Sequence, residues 1–309
     1  MVDHRFVIDE RALDLREAPE TVIADAFEAL VDQLESLRGA GEAVGLLAGW
    51  GAAPCFDGAD VATVLTSGLH CQIDLGRLLL RLLGKTVAWD DDPSVALTPA
   101  VLIADQELES YGIAWALSCV ARGWGMAAVV AHTSALRGMV SVTDGQVNAE
   151  VCLCANSLDH RALYRSLFDL ENVREADFFA LASRAFPGLA FVPGLNFSKF
   201  QGMYRALRPV VVEHLAKLND ELLSALQAEN GHSGRVSMRL GVDVSIEGTQ
   251  TRSQEAVMRL RDVVYSGTAY RCEWHSKLSP NINRIHFHQG DERSGNRVVI
   301  GLFVDHLPT

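Results

Sequence analysis

Apolar positions first recur with a helical period over residues 20–37. There Val22, Ile23, Ala26, Phe27, Leu30, Val31, Leu34 and Leu37 form one stripe, and Asp25, Glu28, Asp32 and Glu35 form the other. Spacings of three and four predict an amphipathic helix. Pro19 at its start and Gly39 after its end fit the capping asymmetry of helices. Short extended runs follow at 43–47, 86–89, 100–104 and 126–131, separated by helical patterns near 74–83 and 107–122. This alternation predicts an α/β layer structure with parallel pairing. Two further runs, 139–143 (MVSVT) and 149–155 (AEVCLCA), flank a turn beginning DGQ and read as a hairpin.

The middle of the chain is helical, with patterns at 158–171 and at 175–186, the second ending at Pro187. A longer pattern over 199–228 contains Pro209, which should interrupt or begin a helix. The polar stretch 227–235 is the best linker candidate. Beyond it, 238–246 (MRLGVDVSI) reads as a strand, 253–264 as a short helix, and 269–278, 283–288 and 297–304 as strands. The predicted architecture is therefore an α/β domain over 1–156, a helical segment over 157–229 packing on it, and a small α+β domain over 230–309 built on an antiparallel sheet.

Composition sharpens this division. The net charge is −12, which argues against a generally sticky nucleic-acid binder. Residues 230–309 nevertheless carry +2 and five histidines, leaving −14 for the remainder. No run approaches the ~18–20 apolar residues that span a bilayer. The opening MVDHRFVIDERALDLRE has acids and no apolar core, so no export signal is expected there. Six cysteines without framework spacing then predict reduced thiols and a cytoplasmic location. Cys152 and Cys154, two apart in a predicted strand, should face one side as small buried residues.

The candidate chemistry sits in the last forty residues, YRCEWHSKLSPNINRIHFHQGDERSGNRVVIGLFVDHLPT, nine of which are Arg, Lys or His. Side-chain alternation along a strand at 270–278 puts Arg271, Glu273, His275 and Lys277 on one face. Likewise Arg284, His286 and His288 share a face, with Ile285 and Phe287 opposite. Clustered imidazoles beside cations suit proton transfer at a phosphate. His275, His286, His288 and His306 would move protons, while Arg271, Lys277 and Arg284 would hold the phosphate. That equipment fits metal-independent cleavage of RNA, with no cofactor. A metal site is the alternative use of His275, His286 and His288, with Glu273 or His306 completing the set.

The pieces NRIHF (283–287) and VVIGLFVDH (298–306) resemble the RelE/ParE-like toxin superfamily, whose members keep an arginine-bearing strand followed by a last strand ending near a histidine. The resemblance implies a small antiparallel-sheet domain at the C-terminus. It also implies Arg284 as a phosphate contact and His306 as acid or base. In the ribonuclease members of that group the substrate is ribosome-bound messenger RNA. The expected function is thus a toxin-like endoribonuclease acting in growth arrest or antiphage defence, with RNA and a neutralising or defence-complex protein as partners and no membrane. A non-catalytic nucleic-acid- or nucleotide-binding subunit of a defence complex is a second reading, and a His-rich metal-dependent enzyme a third.

Signals elsewhere are weaker. Asp90, Asp91 and Asp92, with Asp9 and Asp105, could mimic a nuclease acid cluster or lie in a solvated loop. Gly45, Gly49 and Gly51 form no phosphate loop, and the surroundings of Ser134 and Ser110 lack a nucleophile elbow. The stretch 193–204 (PGLNFSKFQGMY) reads as a packing loop against the C-terminal domain or as a nucleic-acid contact.

Overall fold

The computed structural model describes residues 4–68, 70–90, 97–280 and 282–308. The chain is mixed α/β and splits into two compact units, Met1–Glu171 and Asn172–Thr309. The division therefore falls at neither 156/157 nor 229/230. The expected helical segment is shared, its first helix going with the first unit and the rest with the second. Charge follows the same line, with −14 on residues 1–171 and +2 on 172–309.

The first unit runs β1 (Phe6–Ile8), α1 (Ile23–Gly39), β2 (Val44–Leu46), β3 (Pro54–Phe56), β4 (Ala59–Asp60), α2 (Val61–Ser67), α3 (Ile73–Leu83), β5 (Val87–Ala88), β6 (Ala100–Ile103), β7 (Gln106–Glu109), α4 (Tyr111–Ala121), β8 (Ala127–Val129), β9 (Gly138–Thr143), β10 (Asn148–Cys154) and α5 (His160–Leu170). One sheet has the order β5-β2-β1-β8-β10-β9-β6-β7. Its first five strands are parallel, and β9, β6 and β7 add on antiparallel. The triplets in β1, β2 and β8 are wholly buried, as parallel strands covered on both faces require. The helix expected from 107 starts later, because 106–109 pair as β7 and the Ser110 side chain caps α4. Only a glycine lets α4 approach β1 so closely. A Cβ on Gly112 would lie 2.8 Å from the Asp9 Cα.

The acids weighed as a nuclease cluster do not gather. Asp9, at the end of β1, accepts from Ser110 Oγ and Arg11 N. Asp90 follows β5, two strands away or about 10 Å, and binds the Ala48 N–H. Asp105 sits in the β6–β7 turn at the far side of the sheet. Asp91 and Asp92 lie outside the described residues. Cys152 and Cys154 do face one side, with their sulfurs 3.7 Å apart and buried.

The second unit runs α6 (Phe178–Ala185), β11 (Leu189–Phe191), α7 (Tyr204–Asp220), α8 (Leu222–Ala228), α9 (Ser233–Leu240), β12 (Val244–Ile246), α10 (Thr249–Arg252), α11 (Glu255–Met258), β13 (Asp262–Tyr265), β14 (Thr268–Arg271), β15 (Trp274–Lys277), β16 (Arg284–His288) and β17 (Val298–Val304). Its main sheet has the order β11-β17-β16-β15-β12, with β11 parallel to β17 and the other pairs antiparallel. A separate hairpin, β13–β14, turns through Ser266 and Gly267, both at positive φ. That is the backbone a two-residue hairpin needs.

Three expectations change here. The run 269–278 is two strands, because Cys272 N bonds the Arg261 carbonyl and the chain leaves β14 before joining the main sheet as β15. The stretch 238–240 closes a helix, and only 244–246 is strand. Pro209 lies inside α7 without ending it, while Val211, Leu215 and Leu218 are buried at helical spacing. The loop before α7 packs on the sheet, as one reading of 193–204 expected. Phe200 stacks on Phe303 at 5.2 Å, and Phe197 meets the same ring edge-on. No helix among the described residues is long and apolar enough to cross a membrane.

Candidate functional site

Register brings the chemistry together. On adjacent antiparallel strands Ser245 pairs with His275, and His275 with His286. These three residues form a row across β12, β15 and β16, on one face of the sheet. Lys277 and Arg284 are opposite each other one pleat further along, about 7 Å away on the same face. Trp274, Ser276, Ile285 and Phe287 point the other way, where Ser276 Oγ meets His214 Nδ1 of α7 at 2.6 Å. The expected split into a polar and an apolar face holds for β15 and β16.

Glu247, two residues past Ser245, is tied to the next row by its N–H to the Glu273 carbonyl. Its carboxylate reaches back over the imidazoles. Oε1 lies 3.3 Å from His275 Nδ1 and 3.8 Å from His286 Nδ1. Arg261 completes the group from above, donating Nε to the same oxygen at 2.8 Å and its other nitrogens to the Val257 and Pro308 carbonyls. Burial alone would raise the Glu247 carboxyl, but His275 and Arg261 outweigh it and hold it at about 2. Burial, reinforced by the neighbouring His275, pushes His286 down to about 3. The interior thus contains a carboxylate paired with a guanidinium and a neutral His286, an arrangement of low net charge.

This geometry corrects the expectation of an accessible face. His275 is 5% exposed and His286 0%; Glu247 is 3% exposed and Arg261 0%. The covering comes from the segment carrying Arg261 and from Pro308, whose carbonyl accepts from that guanidinium. Among the described residues, His286 has no hydrogen-bond partner at either ring nitrogen, nor does His275 at Nδ1. The His275 Nε2, in contrast, lies 3.0 Å from the half-buried Ser245 hydroxyl.

The remaining expected residues scatter. Arg271 is not on this sheet. It closes β14 and is gripped by Asp262 and Glu255 through paired hydrogen bonds, which raise its pKa above the ordinary value. His288 is half-buried against Tyr270, accepts the Gly290 N–H, and is pushed down by burial. His306 is exposed beyond the end of β17. Lys277 binds Asp243 at 3.2 Å, while Arg284 keeps a buried Nε with no hydrogen-bond partner among the described residues. The sequence reading missed Ser245, Glu247 and Arg261. The one available signal was the strand pattern VSIE, which places an acid two residues after a serine on the same side.

Glu247, His275 and His286 each offer a ligand atom within 4.8 Å of the others, a spacing a metal ion could bridge. Charge decides against that use. The carboxylate oxygen facing the imidazoles already holds Arg261, so a divalent ion there would sit about 4 Å from a guanidinium. At an effective dielectric constant of about 20 that repulsion is roughly 8 kcal/mol. Leaving the imidazoles aside, Arg261, Arg284 and Lys277 share this face with Glu247, Asp243 and Glu273, so the charges balance, with Arg261 paired to Glu247 and Lys277 to Asp243. No protein-family model, curated protein or solved structure matches the chain.

Proposed function

We propose that the second unit is a metal-independent endoribonuclease of the RelE/ParE-like toxin type, working in the cytoplasm on RNA phosphodiesters. The observation that carries this reading is Arg284, which forms no ion pair among the described residues, beside Lys277 on the same sheet face as imidazoles backed by an ionised Glu247. The arginine-bearing strand β16, followed by a last strand that ends two residues before His306, supports the resemblance from which the substrate class is taken. Lys277 and Arg284 would hold the scissile phosphate and offset charge developing on it. The RNA 2′-oxygen attacks the adjacent phosphorus as the bond to the 5′-oxygen breaks, leaving a 2′,3′-cyclic phosphate and a 5′-hydroxyl. His306, exposed at that end of the sheet, is the imidazole best placed to exchange a proton with solvent-borne RNA.

The burial of His275 and His286 favours a second reading, a unit that grips a phosphate without turning it over. One assay separates the two. The full chain is incubated with end-labelled RNA in excess EDTA, beside Arg284→Gln. The endoribonuclease reading expects cleavage in EDTA and a loss of about 100-fold or more in the variant. Salt-sensitive binding with no product establishes the gripping role instead.

A further inference from the structure

Ser245, His275 and Glu247 stand in the order nucleophile, base and orienting acid, the last two in close contact rather than hydrogen-bonded. The hydroxyl lies 3.0 Å from Nε2 of the imidazole, and the carboxylate lies 3.3 Å from Nδ1 of the same ring. Arg261 fixes the carboxylate from its far side. Burial grades along the chain of contacts, with Glu247 and His275 enclosed and Ser245 half-buried on β12, the edge strand of the sheet. Ser245 is therefore the least enclosed residue of the three. Ser276 also touches an imidazole, His214 at 2.6 Å, but that serine is fully buried and, among the described residues, no carboxylate forms an ion pair with its histidine.

We infer that Ser245 is an activated nucleophile directed at phosphorus esters, with His275 as its base and Glu247 as the positioning residue behind it. Lys277, two residues along β15 on the same face, supplies positive charge on the side from which a phosphoryl oxygen would enter. This assignment goes beyond the reading of the unit as a ribonuclease, in which the RNA supplies its own nucleophile, and it does not need that reading to hold.

The test uses the full chain and a fluorophosphonate probe. Ser245 Oγ attacks the probe's phosphorus, the O–P bond forms and the P–F bond breaks. Fluoride leaves with the bonding pair, and the hydroxyl proton passes to His275 Nε2. Peptide mass spectrometry is expected to find the adduct on Ser245 and none on Ser276. Labelling should vanish in Ser245→Ala and slow by about 100-fold or more in His275→Gln. Glu247→Gln should slow it as well, while Ser245→Ala still unfolds in a cooperative transition. An unlabelled Ser245 in the wild-type chain overturns the inference without recourse to any variant. So does a labelling rate that is equal in folded His275→Gln. Neither result bears on RNA cleavage in EDTA, so the two readings fail separately.

Discussion

Arg261 and Glu247 illustrate what a single buried residue does for its neighbours. Both are enclosed, and removing one leaves the other as an uncompensated charge. Arg261→Met is therefore expected to cost about 3–5 kcal/mol, read as a fall in the denaturant midpoint. The same group sets an acid response. His286 titrates at about 3 in the folded chain against 6.5 ordinarily, so the unfolded state takes up its proton first as pH falls. Its contribution is complete above 6.5 and is lost progressively towards 3. Glu247, at about 2 against 4.5, adds a loss in the same direction below 4.5. Denaturation of the second unit across pH should show stability declining from 6.5 downward, with a shallower decline in His286→Gln between 6.5 and 4.5. A flat profile in that interval would contradict the buried, neutral imidazole. Alternation along the strand was enough to place His275, Lys277, Arg284 and His286 on one face. It could not show that the face is covered, because the cover comes from Arg261 and Pro308, residues with no pattern of their own.

Elements show where local patterning stops. The alternation over 269–278 is real, yet the run belongs to two sheets. The Ser266–Gly267 turn commits 268–271 to pair with 262–265, and the main sheet claims 274–277. Period-two alternation does not record which partner a strand has. Arg271 was misplaced for that reason, and its two carboxylate partners make it a clamp on the hairpin. The hairpin also explains a glycine in β17. A Cβ on Gly301 would lie 2.4 Å from Cys272 Sγ and 3.2 Å from both methyls of Val263. Gly301→Ala should destabilise by about 1–3 kcal/mol through overpacking. Removing the sulfur in the Gly301→Ala/Cys272→Ala double variant should recover part of that loss in a double-mutant cycle. Strictly additive effects would show that the hairpin does not press on β17.

Across the whole molecule, acidity and chemistry separate. The first unit carries −14 and the second +2, so attraction to a polyanion is left to the second unit's own surface. If Lys277 and Arg284 both contact phosphate, log affinity for single-stranded RNA should fall against log salt with a slope of about −1.4. The slope should approach zero in Lys277→Gln/Arg284→Gln, and an unchanged slope would move the contact elsewhere. The sequence showed this charge imbalance but set the boundary too late, because residues 172–229 are helical and balanced in charge. Only their packing on the C-terminal sheet, as in Phe200 on Phe303, reveals where they belong. If this sheet cleaves a phosphodiester without a metal, RNA fragments made by the full chain in excess EDTA will end in 2′,3′-cyclic phosphates paired with 5′-hydroxyls. Intact RNA, or fragments that form only when zinc or manganese is supplied, would contradict metal-independent cleavage.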